Sequence, residues 1–397
     1  MQLSQKALAI PPSLTLKITA MAKKMKSQGQ DVVGFGAGEP DFDTPANIKE
    51  AAKRALDAGF TKYTPASGML ELKQAICNSL KAKEGLDYTP SQIVVSNGAK
   101  HSLFNIFQAI LNPGDEVIII TPFWLTYPEL VKMADGVPVY VEAYESNNFE
   151  PSKEDILAAV TDRTKAIIIN NPSNPTGSVY TQKTLADIAH IAREHDFFIV
   201  SDEIYDELIY DSHKHLSIAD VSKDAYRRTI MVNGLSKSYS MTGWRIGYTA
   251  SSEEIAKVMG GYQSHATSNP CSISQAASIE ALTGPQDELV KMREEFNRRR
   301  KKIVKMINEI DGLSCITPKG AFYVMMNISQ LKGKSLHGRT INNSMDFAEM
   351  LLDEALVAVV PGAAFGADDF ERLSYAISMD SIKKGIKRIG EFVALLD

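Results

Sequence analysis

The feature that most constrains the fold is an alternation of short apolar runs with helical patterns between residues 93 and 251. Several runs, such as Val-Ile-Ile-Ile at 117–120, are apolar at every position, as strands covered by helices on both faces must be. Strands that alternate with helices predict a doubly wound α/β fold with a mostly parallel sheet. The seven predicted strands span 93–96, 116–120, 137–142, 166–170, 197–201, 229–233 and 246–249.

The chain after residue 285 predicts a smaller α+β unit. Apolar residues recur at spacings of three, four and seven between 289 and 310, which indicates one long amphipathic helix. Strand-like runs follow at 321–326, 357–360 and 373–377, and a terminal helix is predicted at 382–396.

The charge balance excludes two classes of partner. Against 43 Lys and Arg residues stand 48 Asp and Glu residues, a formal net charge of −5, so no overall positive field favours nucleic acid or an anionic membrane. No apolar run approaches the roughly 18 residues of a membrane span. The three cysteines lie far apart without a C-x-x-C pair. We therefore expect a cytoplasmic protein with no disulfide framework, no bound metal, no membrane and no nucleic acid.

Common nucleotide and metalloprotease motifs are missing or incomplete. Glycines at 34, 36 and 38 suggest a dinucleotide loop, but the third glycine comes one residue too soon and Glu-Pro follows where a helix should begin. The chain contains neither G-x-x-x-x-G-K-[ST] nor H-E-x-x-H. Nicotinamide binding, nucleotide hydrolysis and zinc proteolysis are therefore disfavoured.

Polar segments directly after four predicted strands are better candidates, because ligands of such sheets bind at the carboxyl ends of the strands. Backbone N–H groups near Gly98 and Ala99 can hold a phosphate, although a plain strand-to-helix turn has the same sequence pattern. Asn174 lies in a turn with two Asn-Pro steps. Asp202 ends an apolar run and is either a site carboxylate or a helix N-cap. Lys237, in a turn of small residues, is either a site amine or a surface lysine.

Five longer motifs together identify a family. They are Gly-Ala-Gly-Glu-Pro-Asp-Phe (36–42), Asn-Asn-Pro-Ser-Asn-Pro-Thr-Gly (170–177), Ser-Asp-Glu-Ile-Tyr (201–205), Ser-Lys-Ser-Tyr-Ser-Met-Thr-Gly-Trp-Arg-Ile-Gly-Tyr (236–248) and Arg-Leu-Ser-Tyr-Ala (372–376). With these motifs the chain resembles, over nearly its whole length, the class I, fold-type I pyridoxal-phosphate aminotransferases. Within them it is most similar to the bacterial-type aspartate aminotransferases.

The resemblance implies an architecture. A large domain at 46–285 would hold the seven-stranded, mostly parallel sheet and bind pyridoxal 5′-phosphate. A small α+β domain would be assembled from 1–45 and 286–397. A homodimer with shared active sites is implied as well, because Tyr63 matches a tyrosine that reaches the cofactor phosphate of a second subunit.

The resemblance also implies a role for each matching residue around the cofactor. Lys237 matches the lysine that binds the cofactor covalently and later moves the substrate proton. Asp202 matches the carboxylate that keeps the ring nitrogen protonated, and Tyr205 and Asn174 match the groups that bond the ring oxygen. The remaining cofactor contacts carry over to the stacking ring of Trp124 and to Gly98, Ala99, Lys100, Ser236 and Arg245.

Substrate contacts carry over in the same way. Arg372 matches the guanidinium that binds the substrate α-carboxylate, for which a planar two-pronged donor is suited, and Gly38, Asn174 and Trp124 resemble its neighbours. Donors for a second, distal carboxylate resemble Ser13, Thr15 and Lys100. Two alternatives remain open: Ser13 and Thr15 could cap the following helix, and Lys100 could be solvated.

These roles predict an activity. We expect reversible transamination of L-aspartate with 2-oxoglutarate to oxaloacetate and L-glutamate, with amino acids and 2-oxo acids as the partners of the site. The alternatives are prephenate amination, a broader range of aromatic, alanine or kynurenine donors, β-elimination, and a non-catalytic protein that senses the cofactor. We also expect closure of the small domain to carry Arg372 toward the cofactor.

Overall fold

A computed structural model describes residues 2–11, 14–211 and 213–397 of the 397-residue chain. Its strands are β1 Val33–Gly34, β2 Ile93–Ser96, β3 Glu116–Thr121, β4 Val137–Glu142, β5 Thr164–Asn170, β6 Phe198–Asp202, β7 Thr229–Gly234, β8 Gly247–Ala250, β9 Tyr323–Asn327, β10 Ser335–Leu336, β11 Arg339–Thr340, β12 Val357–Ala358, β13 Val360–Pro361 and β14 Phe370–Ser374. Its helices are α1 Gln5–Leu8, α2 Leu14–Ser27, α3 Ala46–Asp57, α4 Leu70–Glu84, α5 Ala99–Ile110, α6 Thr126–Met133, α7 Lys153–Ala159, α8 Gln182–Glu194, α9 Lys223–Arg228, α10 Glu253–Ala266, α11 Ser272–Thr283, α12 Asp287–Ile307, α13 Ser344–Ala355 and α14 Met379–Val393.

The central sheet has seven strands in the order β2-β8-β7-β6-β5-β3-β4. Strands β4, β3, β5, β6 and β7 pair in parallel, whereas β8 runs antiparallel to both of its neighbours. This arrangement confirms the predicted α/β class, and all seven predicted strands are present. The strands β5, β6 and β7 therefore end at one edge of the sheet, and the polar segments that follow them meet there.

Alternate residues of the central strands enter two separate apolar layers. Ile119 and Ile168 pack with α5 on one face, while Ile118 and Ile167 pack with α8 on the other. All four are essentially inaccessible to solvent. This double burial explains why the runs are apolar at every position rather than at alternate ones.

The second unit is built around the antiparallel sheet β13-β14-β9, which packs against α12, α13 and α14. The parallel pair of β1 with β12 joins the N-terminal segment to this unit, and α2 packs beside it through Ala22. The assembly of a small domain from 1–45 and 286–397, and with it the boundaries at 46 and 285, stays a prediction.

Three sequence expectations for this unit need correction. The predicted helix 289–310 ends at Ile307, where Asn308 caps it, so Ile310 lies in the following turn. The single predicted strand 357–360 is two short strands, because β12 pairs with β1 and β13 pairs with β14. The terminal helix and its preceding strand both begin about three residues earlier than predicted. None of the described helices combines the length and apolarity needed to span a bilayer.

Candidate active site

A cavity of about 470 Å³ opens at the carboxyl ends of the central strands, between the sheet and the second unit. Its walls come from the segments after β5, β6 and β7, from the start of α5 and from β14. The predicted residues that line it are Gly38, Ala99, Lys100, Trp124, Asn174, Asp202, Tyr205, Ser236, Lys237, Arg245 and Arg372. Residues distant in sequence by more than 300 positions thus share one wall.

Lys237 presents a buried amine to this cavity. Its Nζ donates a hydrogen bond to the carbonyl oxygen of Gly38. Burial lowers its pKa to about 8, an effect that Arg245 and Arg372 reinforce and that Glu39 and Asp202 oppose. About a tenth of the amine is therefore neutral at pH 7, and that fraction can act as a nucleophile or base.

Asp202 presents a buried carboxyl to the same cavity. Tyr127 Oη donates to Oδ2 at 2.7 Å, and the backbone N–H of Ile204 donates to Oδ1 at 3.3 Å. Burial raises the pKa of Asp202 to about 6, although the Tyr127 hydrogen bond lowers it. The carboxyl is ionised at neutral pH, and no described Lys or Arg pairs with it. A cationic nitrogen of a ligand would suit this position.

Tyr205 and Asn174 connect the sheet to the second unit. The hydroxyls of Tyr205 and Tyr323 lie 3.0 Å apart, and burial raises the pKa of Tyr205 well above its ordinary value. Asn174 accepts a 3.2 Å hydrogen bond from Arg372 through its side-chain oxygen. Its backbone N–H donates to the side chain of Asn170, which fixes the turn.

Arg372 places a guanidinium in the cavity wall with no carboxylate partner among the described residues. Its Nη2 donates to the carbonyl of Gly36 at 2.9 Å, and its Nε has no partner there. Its Cζ atom lies 4.6 Å from the ring centre of Tyr323 and 5.0 Å from that of Phe365. A buried cation held by neutral acceptors and aromatic faces is ready to accept an anion from a ligand.

The start of α5 forms an anion-binding corner with Arg245. The Arg245 guanidinium donates to the carbonyls of Thr242 and Asn97, and a Cβ at Gly98 would collide with it. Gly98 has φ +87°, which lets the chain turn directly into α5, so that the helix begins with Ala99 and Lys100 at the cavity. Gly98 itself does not line the cavity.

Lys100 and Trp124 stand together at another wall. The Lys100 Nζ lies 4.9 Å from the centre of the Trp124 ring, and burial lowers the pKa of this amine, with a further contribution from Arg245. Trp124 also packs edge to face with Tyr127, at 5.4 Å between ring centres. Lys100 pairs with no described carboxylate, so its charge remains available to a ligand.

Besides Gly98, three predicted residues cannot be placed in the cavity. Ser13 lies outside the described residues. Thr15 falls within α2, but its side chain also lies outside the description. Tyr63 is 90% exposed and lies away from the cavity lining, so its contact with a second subunit stays a prediction.

Two site residues were missed from sequence. Tyr127, which bonds Asp202, lies in the first turn of α6, and its ring packs against the predicted ring of Trp124 three positions earlier, a proximity that could have revealed it. Tyr323, which contacts both Tyr205 and Arg372, lies in β9 of the second unit. No local pattern marks Tyr323, because its place depends on how two distant parts of the chain pack.

Comparisons with known proteins agree with this geometry. The family described as aminotransferase class I and II matches residues 30–389. The aspartate aminotransferase of Bacillus subtilis is 49% identical over 393 residues, 99% of each chain. The aspartate/prephenate aminotransferase of Cereibacter sphaeroides is 48% identical over 394 residues, 99% of this chain and 98% of that protein.

Solved structures of similar proteins have the same fold. The crystal structure of the aspartate aminotransferase from Rhizobium meliloti has a TM-score of 0.97 and 43% identity, with 100% of both chains covered. The aspartate aminotransferase from Thermus thermophilus with maleate has a TM-score of 0.93 and 42% identity, covering 99% of this chain and 100% of that one. The resemblance inferred from the five sequence motifs is confirmed.

Proposed function

The chain belongs to the class I and II aminotransferases, and from that membership we propose that it catalyses reversible transamination of L-aspartate with 2-oxoglutarate to oxaloacetate and L-glutamate. One observation carries the proposal: a buried amine, a buried carboxyl and a guanidinium without a carboxylate partner share one cavity. These are Lys237, Asp202 and Arg372. Each of the three suits a different group: Lys237 the cofactor aldehyde, Asp202 the cofactor ring nitrogen and Arg372 the substrate α-carboxylate.

The donor set fits pyridoxal 5′-phosphate, the cofactor of this family. The corner formed by α5, Ser236 and Arg245 suits a phosphate dianion, Asp202 suits a protonated ring nitrogen, and the amine of Lys237 suits an aldehyde. When bound, the cofactor supplies an electron sink for the negative charge that forms at the substrate Cα.

Lys237 is the proposed base for the substrate Cα proton. A pKa of about 8 leaves roughly a tenth of the amine unprotonated at pH 7, and that fraction rises steeply toward pH 8. Burial also excludes water, which would compete for the same proton. The hydrogen bond to the Gly38 carbonyl orients the amine in the free protein.

Asp202 and Tyr205 orient the cofactor in this proposal. An ionised Asp202 would keep a proton on the ring nitrogen, and the hydroxyl of Tyr205 and the amide of Asn174 would hydrogen-bond the ring oxygen. Because all three side chains are nearly inaccessible to water, their hydrogen bonds act in a medium of low polarity and are correspondingly strong.

Arg372 and Lys100 are the proposed determinants of substrate binding. Arg372 binds the α-carboxylate through its planar fork, for which the partnerless Nε is a further donor. Lys100, with Ser13 and Thr15, binds the distal carboxylate. A dicarboxylic substrate can therefore pair with both Arg372 and Lys100, whereas alanine, with one carboxylate, can pair only with Arg372.

A second candidate is amination of prephenate, which also has two carboxylates. The relative from Cereibacter sphaeroides, 48% identical over the whole chain, is named for both substrates. The same two cations, Arg372 and Lys100, serve either reaction, and only the acceptor distinguishes the reactions.

We further propose a homodimer with shared sites and a cytoplasmic location. The 90% exposure of Tyr63, a large aromatic residue, suits a contact with a second subunit. The three free cysteines suit a reducing compartment.

A panel of amino donors tests the activity. Aspartate, glutamate, alanine, phenylalanine and kynurenine are each supplied with 2-oxoglutarate, and prephenate is tested as an acceptor. We expect aspartate to exceed alanine and phenylalanine in kcat/KM, with one keto acid formed per amino acid consumed. Faster alanine or aromatic turnover contradicts the dicarboxylic assignment, and released ammonia indicates elimination instead.

A subunit-mixing experiment tests Lys237 and the dimer together. Lys237→Ala alone should lose turnover and the cofactor's bound absorbance, and Tyr63→Phe alone should lose affinity for the cofactor. Mixed dimers contain one site with Lys237 from one subunit and Tyr63 from the other, so they should regain wild-type affinity in half of their sites. Absence of any recovery contradicts the shared site, and turnover by Lys237→Ala contradicts the lysine assignment.

A further inference from the structure

Lys23 is a cation of the cavity that the proposed function has not used. It is an exposed residue of α2 and also a lining residue, which places it at the open side of the cavity. Its neighbour Ala22 is buried against Val32 and Ala358, and this contact fixes the face that α2 turns toward the second unit. Lys24, the next residue, is exposed but does not line the cavity.

Lys23 has no carboxylate partner among the described residues. The residues whose side chains the structure does not describe, 1, 12–17, 19 and 212, include no Asp or Glu. The nearest acidic candidate in the lining, Glu39, accepts a 2.9 Å hydrogen bond from Thr242 instead. The charge of Lys23 is therefore not neutralised by this chain.

The charges of the whole lining show what kind of ligand is missing. Five cations, Lys23, Lys100, Lys237, Arg245 and Arg372, face two carboxylates, Glu39 and Asp202. In the proposed function Lys237 becomes bound to the cofactor, Arg245 meets its phosphate and Arg372 meets the α-carboxylate. Lys100 and Lys23 remain, one on the sheet side and one on the side of the second unit. Two unneutralised amines at one cavity favour a further anionic group on the ligand.

We propose that Lys23 determines substrate specificity, binding together with Lys100 the second carboxylate of a dicarboxylic substrate. The inference rests on the proposed function and adds one residue of the cavity, Lys23, to the site for the distal carboxylate. A carboxylate between the two amines gains charge-assisted hydrogen bonds, whereas a monocarboxylic ligand leaves both cations as they are. Lys23 acts on binding and not on proton transfer, so its loss should raise KM and leave kcat nearly unchanged.

The test compares two unreactive ligands of the holoenzyme, succinate and propionate, which differ by one carboxylate. Their dissociation constants are measured by calorimetry at low salt for wild type, Lys23→Met, Lys23→Arg and the control Lys24→Met. We expect Lys23→Met to weaken succinate binding about tenfold, equivalent to about 1.4 kcal/mol, and to leave propionate binding unchanged. Lys23→Arg should stay close to wild type, and Lys24→Met should match it.

The outcomes separate the two proposals. If wild type binds succinate no more tightly than propionate, the dicarboxylic function fails, and the role of Lys23 fails with it. If wild type prefers succinate but Lys23→Met behaves as Lys24→Met does, only the role of Lys23 is refuted. Equal weakening of both ligands also refutes it, since that result indicates a structural effect. Kinetics of aspartate and alanine should repeat the pattern, with the change confined to the KM of aspartate.

Discussion

The hydroxyl of Tyr127 offers the sharpest test of how the site tunes its own carboxyl. Tyr127→Phe removes the donor that lies 2.7 Å from Asp202 and keeps the ring, which packs edge to face against Trp124. Asp202 then retains only the longer 3.3 Å bond from the Ile204 N–H. Tyr127 acts through Asp202 and is a positioning residue.

The magnitude follows from the hydrogen bond that is lost. A bond to a charged group contributes about 1.5–3 kcal/mol, which corresponds to a change of about one to two in the pKa of the acceptor. Burial already raises the pKa of Asp202 to about 6, so roughly 90% of it is ionised at pH 7. In Tyr127→Phe the ionised fraction should fall to between about 50% and 10%.

The assay is kcat/KM for aspartate between pH 5.5 and 9. The acid limb of the profile should move upward by about one to two pH units in Tyr127→Phe, with activity approaching wild type near pH 9. Tyr88→Phe is the control, because it removes a buried hydroxyl that has no partner among the described residues. An unmoved acid limb, or an equal loss at every pH, refutes the reasoning.

Two further perturbations test other parts of the molecule. Arg372→Lys replaces the planar guanidinium with a single ammonium group and removes the hydrogen bond to Asn174. In steady-state assays kcat/KM for aspartate should therefore fall about 10- to 100-fold. A loss of less than threefold contradicts the α-carboxylate role. Burial opposes the charged form of His215, yet the Glu203 carboxylate 2.9 Å away raises its pKa to about 9. Because the folded-state pKa lies above the unfolded value of 6.5, this pair stabilises the fold below pH 6.5 and loses that contribution as the pH rises through 9. The free energy of unfolding from urea titrations should fall by up to about 3 kcal/mol across that interval in wild type, and less in His215→Gln; equal slopes contradict the ion pair.

The central sheet could be predicted from sequence because its strands are marked by composition alone. The run at 117–120 is apolar at every position since both of its faces are covered, and β2 was predicted at its observed bounds. The direction of β8 could not be predicted in the same way. A strand buried on both faces has the same pattern in either direction, and the connection 235–246 between β7 and β8 is long enough for either pairing, so only the folded sheet shows that the pair is antiparallel.

The second unit was predicted less well because its strands are defined by partners and not by their own patterns. The run at 357–360 is apolar throughout, yet its first half pairs with β1 from the N-terminal segment and its second half with β14. The same reason explains Tyr323 in the site. Its position opposite Ser374 in the β9–β14 register brings it to Arg372, and register is a property of two segments at once.

Burial shifts the pKa values of the two central groups of the site, Asp202 and Lys237, in opposite directions, and these shifts suit both groups to one reaction. It raises the pKa of the Asp202 carboxyl to about 6 and lowers that of the Lys237 amine to about 8, so both move toward neutrality. An exposed pair of the same residues would titrate near their ordinary values, far from physiological pH. The cavity therefore disfavours both charges in the free protein. A ligand with a cationic nitrogen beside Asp202 would stabilise the ionised carboxylate, and a covalent bond to Lys237 would remove the buried ammonium. Ligand binding would therefore favour the ionised form of Asp202 and the neutral form of the Lys237 nitrogen, which are the forms that the reaction requires.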